Sequence, residues 1–216
     1  MRRPTNHRNP ANHSEHGVHP RVPLVRAWIG VHRWRLAAGL LAAAAALVTV
    51  TRNGVVESVG GHTLYTPVPW ILLVPMIASV AVGIGAASVT QYLPDPPRAK
   101  VARAAWLLFL ALAATAVCLP GVGDTRIGQV TVAAVIRNVL FCIVLAMPAT
   151  LVRQPQYCWI LPSLYLFAAA QFGLTTPGSQ WWAMVLRPGT QASELLITGV
   201  AFAAIGVIYA LRRPSL

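Results

Sequence analysis

Long apolar runs alternate with short polar breaks along most of the chain. The runs are Leu36–Val50, Pro69–Gln91, Val101–Leu119, Ile127–Val152, Tyr157–Leu174 and Glu194–Leu211. A helix rises about 1.5 Å per residue, so roughly 20 apolar residues cross about 30 Å of hydrocarbon. Five of the runs approach or exceed that length, and the first reaches it by borrowing Val31–Arg35 or Thr51. The pattern predicts an all-α fold: a polytopic membrane helix bundle with six transmembrane helices. The breaks carry turn formers. Arg52–Pro67 contains Gly60-Gly61, Tyr92–Lys100 reads YLPDPPRAK, Pro120–Arg126 contains Gly121 and Gly123, and Thr175–Ser193 contains Pro188-Gly189. Small residues recur at close-packing spacing, Gly39 and Ala43 in the first run and Ser79, Gly83 and Ala87 in the second.

The segments before the first run differ from the rest. Residues 1–20 are polar, with three prolines and His7, His13, His16 and His19. They have no hydrophobic period and too little apolar surface to offset the entropy of ordering. His13, His16 and His19 recur every third residue, but no second cluster or scaffold accompanies them, so no metal site is expected. The stretch reads as a disordered, basic cytoplasmic tail. Residues 21–35, RVPLVRAWIGVHRWR, place Val25, Trp28, Ile29 and His32 on one helical face and Arg26 and Arg33 on another. That pattern suits an amphipathic helix on the membrane surface, or an N-terminal extension of the first span. Residues 36–213 then form the six-helix transmembrane domain.

Composition agrees with the pattern. The 216 residues are 56% hydrophobic and 10% charged, against about 25% charged in soluble domains. The net charge of +12 raises the question of nucleic acid, but its distribution answers it. With the N-terminus in the cytoplasm, thirteen of the 17 Lys and Arg residues fall inside. These are Arg2, Arg3, Arg8, Arg21, Arg26, Arg33, Arg35, Arg98, Lys100, Arg103, Arg153, Arg212 and Arg213. Only Arg52, Arg126 and Arg187 fall outside, and Arg137 lies within a run. This is the positive-inside asymmetry, and it predicts a multi-pass protein of the cell membrane with both termini cytoplasmic. Cys118, Cys142 and Cys158 all sit in apolar runs without metal-ligand spacing and read as small buried hydrophobes.

The fourth run, IGQVTVAAVIRNVLFCIVLAMPATLV, carries Arg137 near its middle, about 15 Å from its outer end at the helical rise. A charge at that depth costs at least about 2.5–3.5 kcal/mol, so it should face other helices. Arg137, Asn138, Gln129 and Gln171 are the candidates for a polar interior or a substrate contact; packing between helices is the alternative. Asp124 or Glu194 would partner Arg137 if the outer side funnels inward. Trp181 and Trp182 mark the second long outer loop. No P-loop, HExxH, paired-Cys or GxSxG motif occurs, and no acid lies deep in a run. No cofactor, metal or catalytic activity is therefore expected of this chain.

The amphipathic stretch Arg21–Arg35, six runs with both ends inside, and the segments WILPSLYLFAAAQFG (Trp159–Gly173) and WWAMVLRPG (Trp181–Gly189) together resemble the permease subunits of ABC-2-type exporters, in particular small actinobacterial ones. The resemblance implies a separate ATPase subunit, a permease dimer partner, and export of a small amphipathic compound or peptide. The chain is short for that family, and Tyr92–Lys100 is Pro-rich where the family has a helix coupling to the ATPase. A non-transporting membrane immunity or assembly protein is the alternative, and an enzyme on lipid-linked substrates comes third.

Overall fold

The computed structural model describes residues 32–59, 61–87, 98–125, 128–173 and 180–212. The tail at 1–20, the amphipathic stretch up to residue 31, most of Tyr92–Lys100, Arg126 and Arg213 lie outside the described residues. Within them are six α-helices: α1 (Trp34–Thr51), α2 (Val74–Ala86), α3 (Ala99–Cys118), α4 (Val132–Leu151), α5 (Ile160–Phe172) and α6 (Ala192–Leu211). Two small hairpins separate them, β1 (Val55–Val59) with β2 (His62–Pro69), and β3 (Gly123–Thr125) with β4 (Gly128–Val130). Short 3-10 turns precede α2 (Trp70–Leu72), follow α3 (Leu119–Gly121), and lead into α5 (Pro155–Tyr157) and α6 (Trp181–Leu186).

Helices α1, α3, α4 and α6 are long and apolar enough to cross a membrane. They match the first, third and sixth runs within two residues and the fourth run from Val132 onward. The second and fifth runs yield helices of only 13 residues each, about 20 Å at the helical rise. Two expected polar loops are partly strand. The Arg52–Pro67 break folds as β1–β2, pairing Val55 with Pro69 and Val59 with His62, with a bulge between Val56 and Ser58. The Pro120–Arg126 break runs into β3, whose Gly123 pairs with Val130. Backbone that leaves a helix still needs partners, and a hairpin supplies them locally. Trp34 and Arg35, read as the end of a surface stretch or as an extension of the first span, belong to α1.

Contacts fix the direction of every helix. Near the start of α2, Ile71 lies against Gly121 at the end of α3, and Leu72 O accepts from Asn138 Nδ2 early in α4. At the end of α2, Gly85 lies against Ala37 of α1 and accepts from Trp106 of α3. Cys158, before α5, touches Gly83. Arg212, after α6, donates to Thr150 O at the end of α4. So α1, α3 and α5 run one way and α2, α4 and α6 the other. His32 and Arg212, the first and last described residues, lie at the same end of the bundle. That end is called the Arg212 end below, and the opposite one the Glu194 end.

Helix α2 is the centre of this arrangement, packed against α1, α3 and α4 with Ala78, Ala81, Val82, Gly83 and Gly85 buried. Its small residues set the packing distance. A Cβ on Gly83 would stand 2.7 Å from Cys158 Sγ, closer than van der Waals contact allows. Because α2 ends inside the bundle, its last four carbonyls need partners other than water. All four have one. Thr150 Oγ1 donates to Gly83 O at 2.8 Å, and Ala87 N to Ile84 O at 3.2 Å. Trp106 Nε1 donates to Gly85 O at 2.9 Å, and Tyr209 Oη to Ala86 O at 2.7 Å. Side chains from α3, α4 and α6 thus cap a helix too short to bring its own end to water.

The outward faces are apolar. Leu108, Phe109 and Leu112 on α3 and Leu196, Ile197, Val200, Val207 and Ile208 on α6 are exposed. Patches of that extent suit contact with lipid or a membrane partner.

Candidate functional site

Helix α4 begins later than its apolar run. Gly128–Val130 form β4, Thr131 caps the helix by accepting from Ala134 N at 3.2 Å, and the first helical residue is Val132. Arg137 is therefore about 7.5 Å from the start of α4 at the helical rise, not about 15 Å. The expected midplane charge sits about one and a half turns inside the Glu194 end.

Its expected inward orientation is present. Arg137 is fully buried, and its donors converge on the loop before α6. Nε donates to Asn138 Oδ1 at 3.1 Å. Nη1 donates to Gly189 O and to Glu194 Oε2, each at 2.8 Å. Nη2 donates to Arg187 O at 2.9 Å. Asn138 continues the network, its Nδ2 donating to Val185 O at 2.7 Å and, more weakly, to Leu72 O at 3.5 Å. One backbone amide joins in, Thr131 N donating to Pro188 O at 3.4 Å.

Glu194 gathers the opposite side. Its side chain is 11% exposed. Besides Arg137 it accepts from Arg187 Nη2, from Thr190 Oγ1 at 3.2 Å, and from Gln191 N at 3.3 Å at the start of α6. A carboxylate in the first turn also faces the positive end of the helix dipole. Arg187 reaches further, to Trp181 O at 3.2 Å, while its Nε is buried with no hydrogen-bond partner among the described residues. One carboxylate between two guanidiniums leaves the cluster with one net positive charge. Chemically this is a staple: it ties α4, the Trp181–Leu186 turn and α6 together through groups already engaged by the protein.

The four sequence candidates do not form one site. Arg137 and Asn138 are joined. Gln129 lies exposed on β4. Gln171 is half-buried near the end of α5 and has interactions of its own. The two tryptophans also part company. Trp181 is 81% exposed, whereas Trp182 is half-buried and its carbonyl accepts from Tyr165 Oη. Residue reading left Glu194 as a conditional partner and missed Arg187 and the carbonyls of Val185, Arg187 and Gly189. The available signal was the acid opening an otherwise apolar run just after Pro188-Gly189, a place where helix-dipole complementarity alone would also put it. Among the described residues no group of three His, Cys, Asp or Glu side chains is placed to hold a metal, and Cys118, Cys142 and Cys158 are free and buried.

Comparison with family models, with curated proteins and with solved structures gives no match for this chain.

Proposed function

We propose that this protein is the membrane-spanning subunit of an exporter, working with a separate ATPase and moving a small amphipathic compound or peptide along a contact with a second membrane chain. The observation that carries this reading is the state of Arg137. It is fully buried, with donors directed to Asn138, Gly189, Glu194 and Arg187. A substrate passing through the interior would have to break that network. A path along the outside of the bundle leaves it intact, and the apolar faces of α3 and α6 offer such a surface.

In this reading all six helices cross the membrane, α2 and α5 with the help of adjoining residues, and both termini are cytoplasmic in the cell membrane. Support comes from the alternating helix directions and from charge. The Arg212 end carries Arg33, Arg35, Arg98, Lys100, Arg103, Arg153 and Arg212, and the Glu194 end carries Arg52 and Arg187. The cation-rich end is assigned to the cytoplasm. The three native cysteines are buried, so introduced ones can be read over a low background. Cysteines replacing exposed Thr63 and Gln180 should react with an impermeant maleimide in intact cells, and one replacing Arg98 should not.

A second reading, a non-transporting immunity or assembly protein, draws on one feature: the turn at Trp181–Leu186 is anchored by Arg187 and Tyr165 yet holds Trp181 outward. Affinity purification of the full chain in mild detergent separates the two. An ATPase retained with the protein, with ATP-dependent efflux, supports the exporter. Recovery without a nucleotide-binding partner overturns it, and retention of a different target through a Trp181-dependent contact favours the second reading.

A further inference from the structure

Tryptophan gathers at the two ends of the bundle. Trp34 opens α1, Trp106 lies early in α3, and Trp159 precedes α5, all at the Arg212 end. Trp70 precedes α2, and Trp181 and Trp182 begin the turn that leads to α6, all at the Glu194 end. Trp28 lies outside the described residues. Trp34, Trp70, Trp159 and Trp181 are exposed, as is Tyr157 beside Trp159. Between the two levels the large exposed side chains are aliphatic or phenylalanine, among them Leu108, Leu112, Leu164, Phe167 and Val200. Tyr165 lies between the levels but is half-buried, and its hydroxyl donates to Trp182 O.

Four helices measure the separation of these levels. Gly85 O accepts from Trp106 Nε1, so Trp70 to Gly85 along α2 runs from one level to the other. Gly121, past the end of α3, lies against Ile71 beside Trp70, so Trp106 to Gly121 measures it again. Tyr209 of α6 reaches Ala86 O, and Glu194 stands fifteen positions before it. Gln180 N donates to Gly173 O, which puts the end of α5 beside Trp181, fourteen positions after Trp159. At the helical rise each path is about 21–23 Å. An ordinary hydrocarbon layer is about 30 Å thick. Tilt widens the difference, because a tilted helix covers less of the bilayer normal. The longer α3 passes its level with Lys100 and Arg103. In α4, Asn138 reaches Leu72 O, two positions after Trp70, so Arg137 also falls close to the Glu194-end level.

Indole rings settle at the boundary of water and hydrocarbon, where an apolar face and an N–H are both accommodated. We propose that the two tryptophan levels are the lipid interfaces of this protein, and that its partner is a thin bilayer. The hydrocarbon layer that fits is about 22 Å, roughly a quarter less than the usual one. The proposal rests on the membrane-spanning reading and not on transport of any compound. Two features follow from it. Helices of 13 residues suffice for α2 and α5, with adjoining residues, because little hydrocarbon has to be crossed. The Arg137–Glu194 pair stands close to a lipid interface, away from the midplane depth at which a charge costs most.

The test uses the full chain reconstituted in phosphatidylcholine vesicles with dimyristoleoyl, dioleoyl or dierucoyl chains, which share a headgroup and differ in thickness. The melting temperature should be highest in the dimyristoleoyl bilayer and fall with each longer chain, because hydrophobic mismatch costs free energy. A doxyl quencher held near the ester carbonyls should quench tryptophan emission about twofold more strongly than one held at the chain end. Trp159→Phe and Trp181→Phe should each remove part of the emission that the shallow quencher reaches. A melting temperature that is highest in a longer-chain bilayer, or independent of chain length, overturns the proposal. So does stronger quenching from the chain end, or shallow quenching that neither substitution reduces. If the protein floats with vesicles of none of the three lipids, the membrane reading fails and the proposal with it. Floating protein with any of the adverse results removes the proposal alone and leaves the membrane reading standing.

Discussion

Arg137 and Glu194 meet at 2.8 Å across 57 residues of sequence, joining the second turn of α4 to the first turn of α6. The pair does more than neutralise a charge. Through Arg137 it also orders the carbonyls of Arg187 and Gly189, and through Glu194 it restrains Arg187 and Thr190. The connection into α6, from Arg187 to Gln191, is therefore held largely by two side chains.

Arg137→Leu should lower the thermal stability of the detergent-solubilised protein markedly. It leaves a largely buried carboxylate facing one arginine and frees two carbonyls; breaking a buried pair costs about 3–5 kcal/mol. Arg137→Leu combined with Glu194→Leu should recover part of that loss, because the stranded charge is gone. Arg137→Lys should fall between, since one ammonium cannot reach acceptors spread over the fork. Unchanged stability in Arg137→Leu would remove the staple. The transport assay adds a separate reading: a stable Arg137→Leu protein that no longer exports would return this residue to substrate contact.

The capped end of α2 makes a second prediction. Tyr209→Phe removes the donor to Ala86 O and leaves the ring in place, so it should cost about 1–3 kcal/mol, the penalty of a buried unpaired carbonyl. Thermal melts of Tyr209→Phe and of Thr150→Val, which strands Gly83 O, should show losses of similar size. A neutral Tyr209→Phe would mean that water reaches this helix end.

Gly83 and Cys158 should show coupled packing. Gly83→Ala puts a Cβ 2.7 Å from Cys158 Sγ and should destabilise by about 1–3 kcal/mol, as overpacking does. Cys158→Ala removes the sulfur and should rescue part of the loss, although its Cβ remains 3.1 Å away. A double-mutant cycle measures the coupling, and strict additivity would place the two residues out of contact.

Arg153 adopts φ 66° at the left-handed position ending α4. Its N–H bonds to Thr150 O, and the next amide, Gln154 N, bonds to Ala149 O at 2.8 Å, the hydrogen-bond pattern that usually selects glycine. Arg153→Gly should therefore raise stability by about 1 kcal/mol by relieving the left-handed strain. A melting temperature unchanged or lowered in Arg153→Gly would show that the arginine's own interactions outweigh the left-handed strain.

The sequence by itself determined the class of protein and the placement of its principal helices. Apolar runs are local, and a run that reaches bilayer length has few alternatives to helix. Four of the six runs accordingly gave helices of spanning length within a few residues of the expected bounds. The inward face of Arg137 was legible for the same reason, since a charge in an apolar run has to be buried against protein. Tertiary structure alone decided the rest. It ended the second helix at Ala86, where side chains from α3, α4 and α6 take up its last carbonyls inside the bundle. It moved Arg137 towards the Glu194 end, because β4 pairing claims the backbone before Thr131. It also chose Glu194 and Arg187 as the partners. Hydrophobic periodicity says which face of a helix is buried, but the groups that meet it come from chain 50 or more residues away, and only the packing of α4 against α6 brings them there.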